Sequence, residues 1–435
     1  MKLFLFILIL LNGTVSRADS LSLDEALKEA QSGSLEIQAD AAHQDELDWG
    51  VTEARAPFLP NFEFDADHFF NIRYQTYTFT LPGNQPLTFP FVTPSTTYTL
   101  NGRWNIFNGF VDHNKVASAK LKKEAADRDL AWTRYQVDQS IRLNFFQVIA
   151  ARQLEEVAIT NVANLEQHMK EVKDLLKAGE AIEVDVLRVQ VQLNNARAEK
   201  INASDNVVIS QQHLAQAMGK HIESRIPGGS LPIPDPALAD RIESTSREEN
   251  LFNGRADLQA RDLRTHAAEK THDAAANYWI PTLSLIGNYQ WYNNVNYDVV
   301  TPPTFRSAWQ YGVELKWNIF DGLLSHAKSR EDAAKAVRDA KQDQLVRLQA
   351  STDIRTSSSD YRYALSQYLA NTDNLERSKK SVQLALTALR YGAQTNTDVL
   401  DAELDLFNAR AGVIQSQIKA LEAQIKFETA IGRNI

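Results

Sequence analysis

From Asn61 to Gln75 the even positions are mostly apolar: Phe62, Phe64, Ala66, Phe70, Ile72 and Tyr74. The odd positions are mostly polar: Asn61, Glu63, Asp65, Asp67, Asn71, Arg73 and Gln75, with His68 and Phe69 breaking the rule. Tyr98, Leu100, Trp104 and Ile106 alternate in the same way with Thr97, Thr99, Asn101, Arg103 and Asn105. Further on, Leu283, Leu285, Tyr289 and Trp291 stand against Thr282, Ser284, Asn288 and Gln290. Trp309, Tyr311, Val313, Leu315 and Trp317 then stand against Gln310, Glu314, Lys316 and Asn318. A period of two predicts strands in a sheet with one apolar and one polar face. Two β-hairpins are expected, over 60–107 and 281–320. Trp and Tyr near the strand ends suit the girdles of a membrane barrel, and a soluble sandwich sheet is the other reading. The strands alone leave both open.

The rest of the chain is written in the helical period. The 13 prolines lie in four places, 57–60, 82–94, 227–236 and 281–303. Residues 110–178 and 323–391 hold neither glycine nor proline, the main helix breakers. Two very long helices follow, and helices of that length need a continuous apolar seam. One seam is Leu400, Leu404, Phe407, Ala411, Ile414, Ile418, Leu421 and Ile425, spaced alternately by four and three. A weaker one is Val186, Val189, Leu193, Ala196, Lys200, Ala203, Val207, Ser210, Leu214 and Ala217. Such stripes are packing surfaces rather than binding boxes.

The chain is a tandem duplication. Trp104-Asn105-Ile106-Phe107 recurs 213 residues later as Trp317-Asn318-Ile319-Phe320. At the same offset Gly109 meets Gly322, Gly179 meets Gly392, Asp185 meets Asp398, Asn195-Ala196-Arg197 meets Asn408-Ala409-Arg410, and Gly219 meets Gly432. Upstream the offset is 221, from Pro60 to Pro281, so the first half holds extra residues around 82–94, expected as a longer loop. The predicted organisation is a signal peptide over 1–18, a first repeat over 19–226, a proline-rich linker over 227–245 and a second repeat over 246–435. Within the repeats, long helices are expected over 109–219 and 322–432, and the linker reads as an irregular excursion.

Composition narrows the function. Met1-Lys2, the apolar run Leu3–Leu11, and Ser16 and Ala18 before Asp19 read as a cleaved secretory signal. No later segment is apolar enough to cross a bilayer as a helix, so any crossing falls to strands. Four strands per chain cannot close a membrane barrel, the smallest of which have about eight, so several copies must pool theirs. A formal charge of -9 argues against nucleic acid as a partner. With no cysteine in the chain, disulfides and thiolate chemistry are excluded. No catalytic constellation, cofactor motif or metal-ligand spacing is present, and His266 and His272 fall on different helix faces. An enzyme is not expected.

The segments WNIFNGF at 104–110, WNIFDGL at 317–323, YGAQTNTDVLDAE at 391–403 and NARA at 195–198 and 408–411 resemble the TolC family of outer-membrane efflux proteins. The resemblance runs through essentially the whole mature chain. It implies a mixed α and β membrane protein: a homotrimer whose transmembrane β-barrel, four strands per chain, continues into a periplasmic α-helical coiled-coil barrel. Its expected role is the exit duct of a tripartite efflux or type I secretion system, with a periplasmic adaptor, an inner-membrane transporter and outer-membrane lipid as partners. A trimeric coiled-coil surface or structural protein without transport is the alternative. Many family members carry an N-terminal lipid-bearing cysteine, and this chain is expected to anchor through its barrel alone.

One side-chain cluster carries a functional expectation. Asp398, Asp401 and Asp405 stand at i, i+3 and i+7 near the start of a helix that follows Gly392. The helix dipole accounts for Asp398 and poorly for Asp405. The resemblance places Asp398 and Asp401 at the tunnel entrance, where three copies would form stacked acidic rings. The first repeat has Arg188 where the second has Asp401. Some family members close the tip with an arginine and a tyrosine; the matching places here are Gln394 and Leu389, with Tyr391 nearby. Asp185, Gln394 and Asp405 are further entrance candidates. The hairpin tips around Gly179, Ala181, Gly392 and Gln394 are the expected adaptor contacts.

Overall fold

The structure, a computed structural model, describes residues 20–70, 75–91, 94, 96–223, 225–248, 251–293 and 305–435. The signal segment and the strand positions Asn71, Ile72, Arg73 and Tyr74 lie outside the described residues. The chain order is α1 (Leu23–Gly33), α2 (Leu35–Arg55), β1 (Asn61–His68), β2 (Gln75–Leu81), β3 (Gln85–Phe91), β4 (Thr96–Phe107), α3 (Val111–Ala178) and α4 (Glu183–Ala217). The second half follows with α5 (Pro236–Thr245), α6 (Ala256–Ala276), β5 (Thr282–Asn293), β6 (Phe305–Lys316), α7 (Leu324–Arg390) and α8 (Asn396–Ile431). Two compact units emerge, one comprising His43–Asp127 with Gln259–Gln344 and the other the remainder.

In the first of these units β1-β4-β5-β6 form one antiparallel sheet. Its register puts Phe62 opposite Gly102, Phe64 opposite Leu100, Trp104 opposite Leu285, Leu285 opposite Val313 and Leu283 opposite Leu315. Because side chains alternate between faces, all of these share one face. The opposite face carries Asp65, Asn101 and Asn288, linked by side-chain hydrogen bonds of 2.9 and 2.7 Å. Arg103 pairs with Glu314 at 2.8 Å on the same side. Ile286 is an apolar intruder on this polar face, opposite Arg103.

Two strand expectations need correction. The alternation predicted one strand running to Gln75, but β1 stops at His68, where the pattern itself breaks, and Gln75 opens β2. The segment expected as a long loop is a separate two-stranded sheet, β2 with β3, turning at Gly83 and Asn84 with positive φ. Pro86 and Pro90 stand in β3 at positions of one parity, so a single unpaired edge accommodates both missing donors.

The linker also differs from its expectation. Residues 236–245 form a helix whose start is set by Asp235, which accepts a hydrogen bond from the Ala237 N–H at 2.8 Å, with Pro236 in the first turn. Leu238 and Ile242 of α5 are buried in a cluster with Ile354, Tyr361 and Phe427. The proline that marked a break here starts a helix.

The long helices α3 and α7 have 68 and 67 residues, roughly 100 Å each at 1.5 Å per residue. Both end in a left-handed glycine, Gly179 (φ 80°) and Gly392 (φ 67°). The α4 seam buries Val189, Leu193, Ala196 and Ala203, and Val189 and Leu193 cluster with Val162, Leu165, Met169 and Val172 of α3. On α8 the expected seam is only part of the buried surface, since Leu404 stays 45% exposed. A second stripe, one residue out of phase, is more deeply buried: Val399, Ala402, Leu406, Ala409, Ser416, Ala420, Ala423, Phe427 and Ala430. Its upper members pack on α7, while Leu400 and Ile414 of the expected seam join clusters on α3. Buried Glu428 (1% exposed) meets Arg142 of α3 at 2.5 Å and Gln424 at 2.8 Å.

Candidate functional site

The two hairpin turns of the helical unit are built alike. After Gly179, the Asp185 carboxylate accepts a hydrogen bond from the Ile182 N–H at 3.3 Å. After Gly392, the Asp398 carboxylate accepts from the Thr395 N–H and hydroxyl, each at 2.8 Å. Thr395 Oγ1 in turn accepts from the Asp398 N–H at 3.3 Å, completing a reciprocal cap. These bonds hold the Asp398 carboxyl below the usual aspartate range, the Thr395 backbone N–H being the larger cause.

Asp398, Asp401 and Asp405 are all exposed, along one face of α8. Gly179, Gly392 and Gln394 are exposed at the turns and Ala181 is half-buried. What joins one turn to the other is a set of residues that the sequence did not single out as partners. Arg188 donates to Thr397 Oγ1 at 2.5 Å, and Asn396 Nδ2 donates to the Asp185 carbonyl at 3.5 Å. Buried Asn396 also meets buried His168 Nε2 at 2.6 Å. The position of Asn396, a polar residue at the first turn of α8 between Thr395 and Val399, was the available signal. It would be read as a helix-start residue, which it also is.

In the other unit the sheet's two faces are chemically opposite. Phe62, Phe64, Trp309, Tyr311, Val313 and Leu315 are between 62% and 81% exposed. Such a continuous apolar surface on a sheet requires an apolar neighbour. The polar face lines a hollow of about 640 Å³ bordered by Asn61, Glu63, Asn101, Arg103, Asn288 and Gln310. Leu285, Val313 and Leu315 lie on the apolar side, and Arg103, Gln290 and Glu314 on the polar side. Among the described residues, no strand pairs with the outer edge of β1 or of β6. Among the described residues no helix is long and apolar enough to cross a membrane.

Comparison with known proteins gives one consistent likeness. The family model described as outer membrane efflux protein matches residues 26–220 and 249–433. The outer membrane protein TolC of Vibrio cholerae is 20% identical over 429 residues, 97% of this chain and 93% of that protein. The TolC protein of Escherichia coli is 21% identical over 443 residues, 97% and 84% of the two chains. The crystal structure of the outer membrane protein VceC of Vibrio cholerae superposes with a TM-score of 0.76 at 17% identity, covering 95% of this chain and 96% of that one.

Proposed function

The chain belongs to the outer membrane efflux protein family, and from that premise we infer that three copies assemble into a passive outer-membrane exit duct. The molecule is an outer-membrane channel protein with its helical part in the periplasm. The observation that carries the trimer is the sheet: among the described residues, four strands, one apolar face, and two unpaired edges. From β1 to β6 each strand is antiparallel to its neighbour, so β1 of one copy can continue antiparallel to β6 of the next. Three copies supply twelve strands, an even number above the minimum for a membrane barrel. The apolar faces then turn to lipid, and the polar faces line a water-filled lumen. A second support is α4, where Val184, Leu187, Val191, Ile201 and Val208 lie in heptad phase and are about half exposed or more. This unpartnered stripe suits a neighbouring copy in a helical barrel.

Asp398 and Asp401 then form two acidic rings at the periplasmic entrance, favouring cations and repelling anions. The turns at 179–182 and 391–395 are the docking sites of a periplasmic adaptor, which links the duct to an inner-membrane transporter that supplies the energy. Photo-crosslinking groups at positions 181 and 394 should capture the adaptor, and capture only from 227–236 would contradict this. A structural coiled coil without transport is not favoured, because it has no use for the apolar sheet face. The native mass in mild detergent tests the assembly: a trimer is expected, and a stable monomer with intact β signal would contradict it.

A further inference from the structure

The repeated WNIF segments end in an unusual turn. Gly109 and Phe110 both have positive φ, 66° and 63°, and so do Gly322 and Leu323, 71° and 69°. Glycine tolerates this conformation; phenylalanine and leucine do so only with strain. Yet both repeats put a bulky apolar residue there, and both leave it exposed, Phe110 at 60% and Leu323 at 63%. Strain and the exposure of a large apolar side chain to water are two separate penalties. Their coincidence at matched positions calls for an apolar environment that offsets both.

The surroundings supply that environment. Phe107 pairs with Leu283 on the apolar face after the bulge in β4, and the Phe110 ring packs edge-on against it at 5.4 Å. The turn therefore continues the sheet's apolar face. Around the same junctions Leu59, Trp279, Ile319 and Phe320 are each more than 60% exposed. Two indoles fix the geometry identically: Trp104 Nε1 donates to the Phe58 carbonyl, and Trp317 Nε1 to the Trp279 carbonyl, both at 2.9 Å. The exposed polar side chains just beyond the turns are His113 and Lys115 on α3 and His326, Lys328 and Arg330 on α7, with Glu331 and, on α2, Glu53 and Arg55 also exposed. Lys328 lies 3.5 Å from Glu331 and 3.4 Å from Asp332. Asp112 is buried, and Asp321 accepts a hydrogen bond from the Ser325 N–H at 2.9 Å. An apolar collar bordered by charged and polar side chains of both signs matches the boundary between acyl chains and lipid headgroups.

We propose that the four sheet–helix junctions form a second membrane-anchoring surface, in which Phe110 and Leu323 are wedges set into the periplasmic leaflet's phospholipid. Anchoring then does not rest on the strands alone. This builds on the reading of the sheet's apolar face as lipid-facing.

The absence of native cysteine makes the test direct. Single variants Phe110→Cys, Leu323→Cys, Lys115→Cys, Lys328→Cys and Leu315→Cys take one nitroxide each. They are reconstituted in vesicles of phosphatidylethanolamine and phosphatidylglycerol. The ratio of collision with oxygen to collision with a water-soluble nickel chelate should be several-fold higher at 110 and 323 than at 115 and 328. Labels at 110 and 323 as open to nickel as those at 115 and 328 would overturn the proposal, and so would labels shielded from both reagents, which places them under a neighbouring copy. Leu315 separates the two failures: water at 315 sinks the lipid-facing sheet itself, whereas lipid at 315 with water at 110 and 323 sinks only the collar. The variant Phe110→Gly with Leu323→Gly keeps the turn and relieves its strain. It should leave the vesicles at a lower detergent concentration than wild type, and equal or greater retention would overturn the wedge role.

Discussion

Gly219 crosses Gly33 so closely that a Cβ on Gly219 would lie 2.0 Å from the Gly33 carbonyl oxygen. The second repeat has the same crossing, where a Cβ on Gly432 would lie 2.5 Å from the carbonyl of Gly254. Both Gly219 and Gly432 also have positive φ, 73° and 74°. The pairs are related by the two offsets seen in the sequence, 213 for one partner and 221 for the other. Duplication has thus preserved a backbone-to-backbone contact that no other residue permits.

Gly219→Ala and Gly432→Ala therefore meet both a strained φ and a clash with rigid backbone, together roughly 2–4 kcal/mol each. Gly179 and Gly392 also have positive φ, but nothing lies within 4 Å of their added Cβ. Alanine there should cost only the conformational part, about 1–2 kcal/mol. Denaturant unfolding of the four variants checks the ranking, and equal losses would show that the crossings do not matter.

The pair Arg142–Glu428 joins α3 to α8 with Glu428 1% exposed. Arg142→Met leaves a buried carboxylate without its cation, a loss of roughly 3–5 kcal/mol. Adding Glu428→Gln removes the stranded charge and should restore much of the loss. If the double variant were as unstable as Arg142→Met, packing rather than charge would be the cause.

Leu315→Arg puts a cation on the apolar face and should cost about 2–4 kcal/mol if it reaches mid-membrane depth. Gln290→Arg, on the polar face, should be tolerated. Heat-modifiable migration of the folded barrel in detergent gels reads both. Equal assembly of the two variants would put the register in error.

Much of this architecture was legible. The period-two pattern located the four sheet strands and sorted their faces, because each side chain's phase decides its environment. The breaks at Gly179 and Gly392 followed from glycine and proline usage. The β2–β3 hairpin was hidden because Pro82, Pro86 and Pro90 look like loop residues until the unpaired edge is known. The main α8 seam was hidden because Ala402, Ala409, Ser416, Ala420 and Ala423 are small, and hydrophobic counting favours the leucine and isoleucine stripe beside it. At the tip, Asp185 and Asp398 were found as carboxylates. Their capping bonds are local, three residues back along the chain, whereas the Arg188–Thr397 and His168–Asn396 contacts depend on helices distant in sequence.

Asp398 and Asp401 should separate on substitution. Asp398 caps α8, whereas Asp401 lies along its exposed face. Asp401→Asn should reduce cation selectivity and block by multivalent cations in planar bilayers without disturbing the helix start. Asp398→Asn should do both. A carboxyl held below its ordinary value, near 4, contributes stability above that pH and loses it as pH falls through the depressed value. The cap should therefore be intact at neutral pH and weaken as pH falls below the ordinary aspartate range. Selectivity unchanged in both variants would return the two aspartates to purely structural roles.

The central claim is that β1 of one copy closes on β6 of the next. Cysteines placed on these edges, Glu63→Cys with Gln310→Cys in one cysteine-free chain, allow a direct measurement by a short bismaleimide reagent in outer-membrane fractions. Denaturing gels should show a covalent ladder that stops at three copies. A ladder that never leaves the monomer, or one that runs past three, would contradict the closed trimeric barrel.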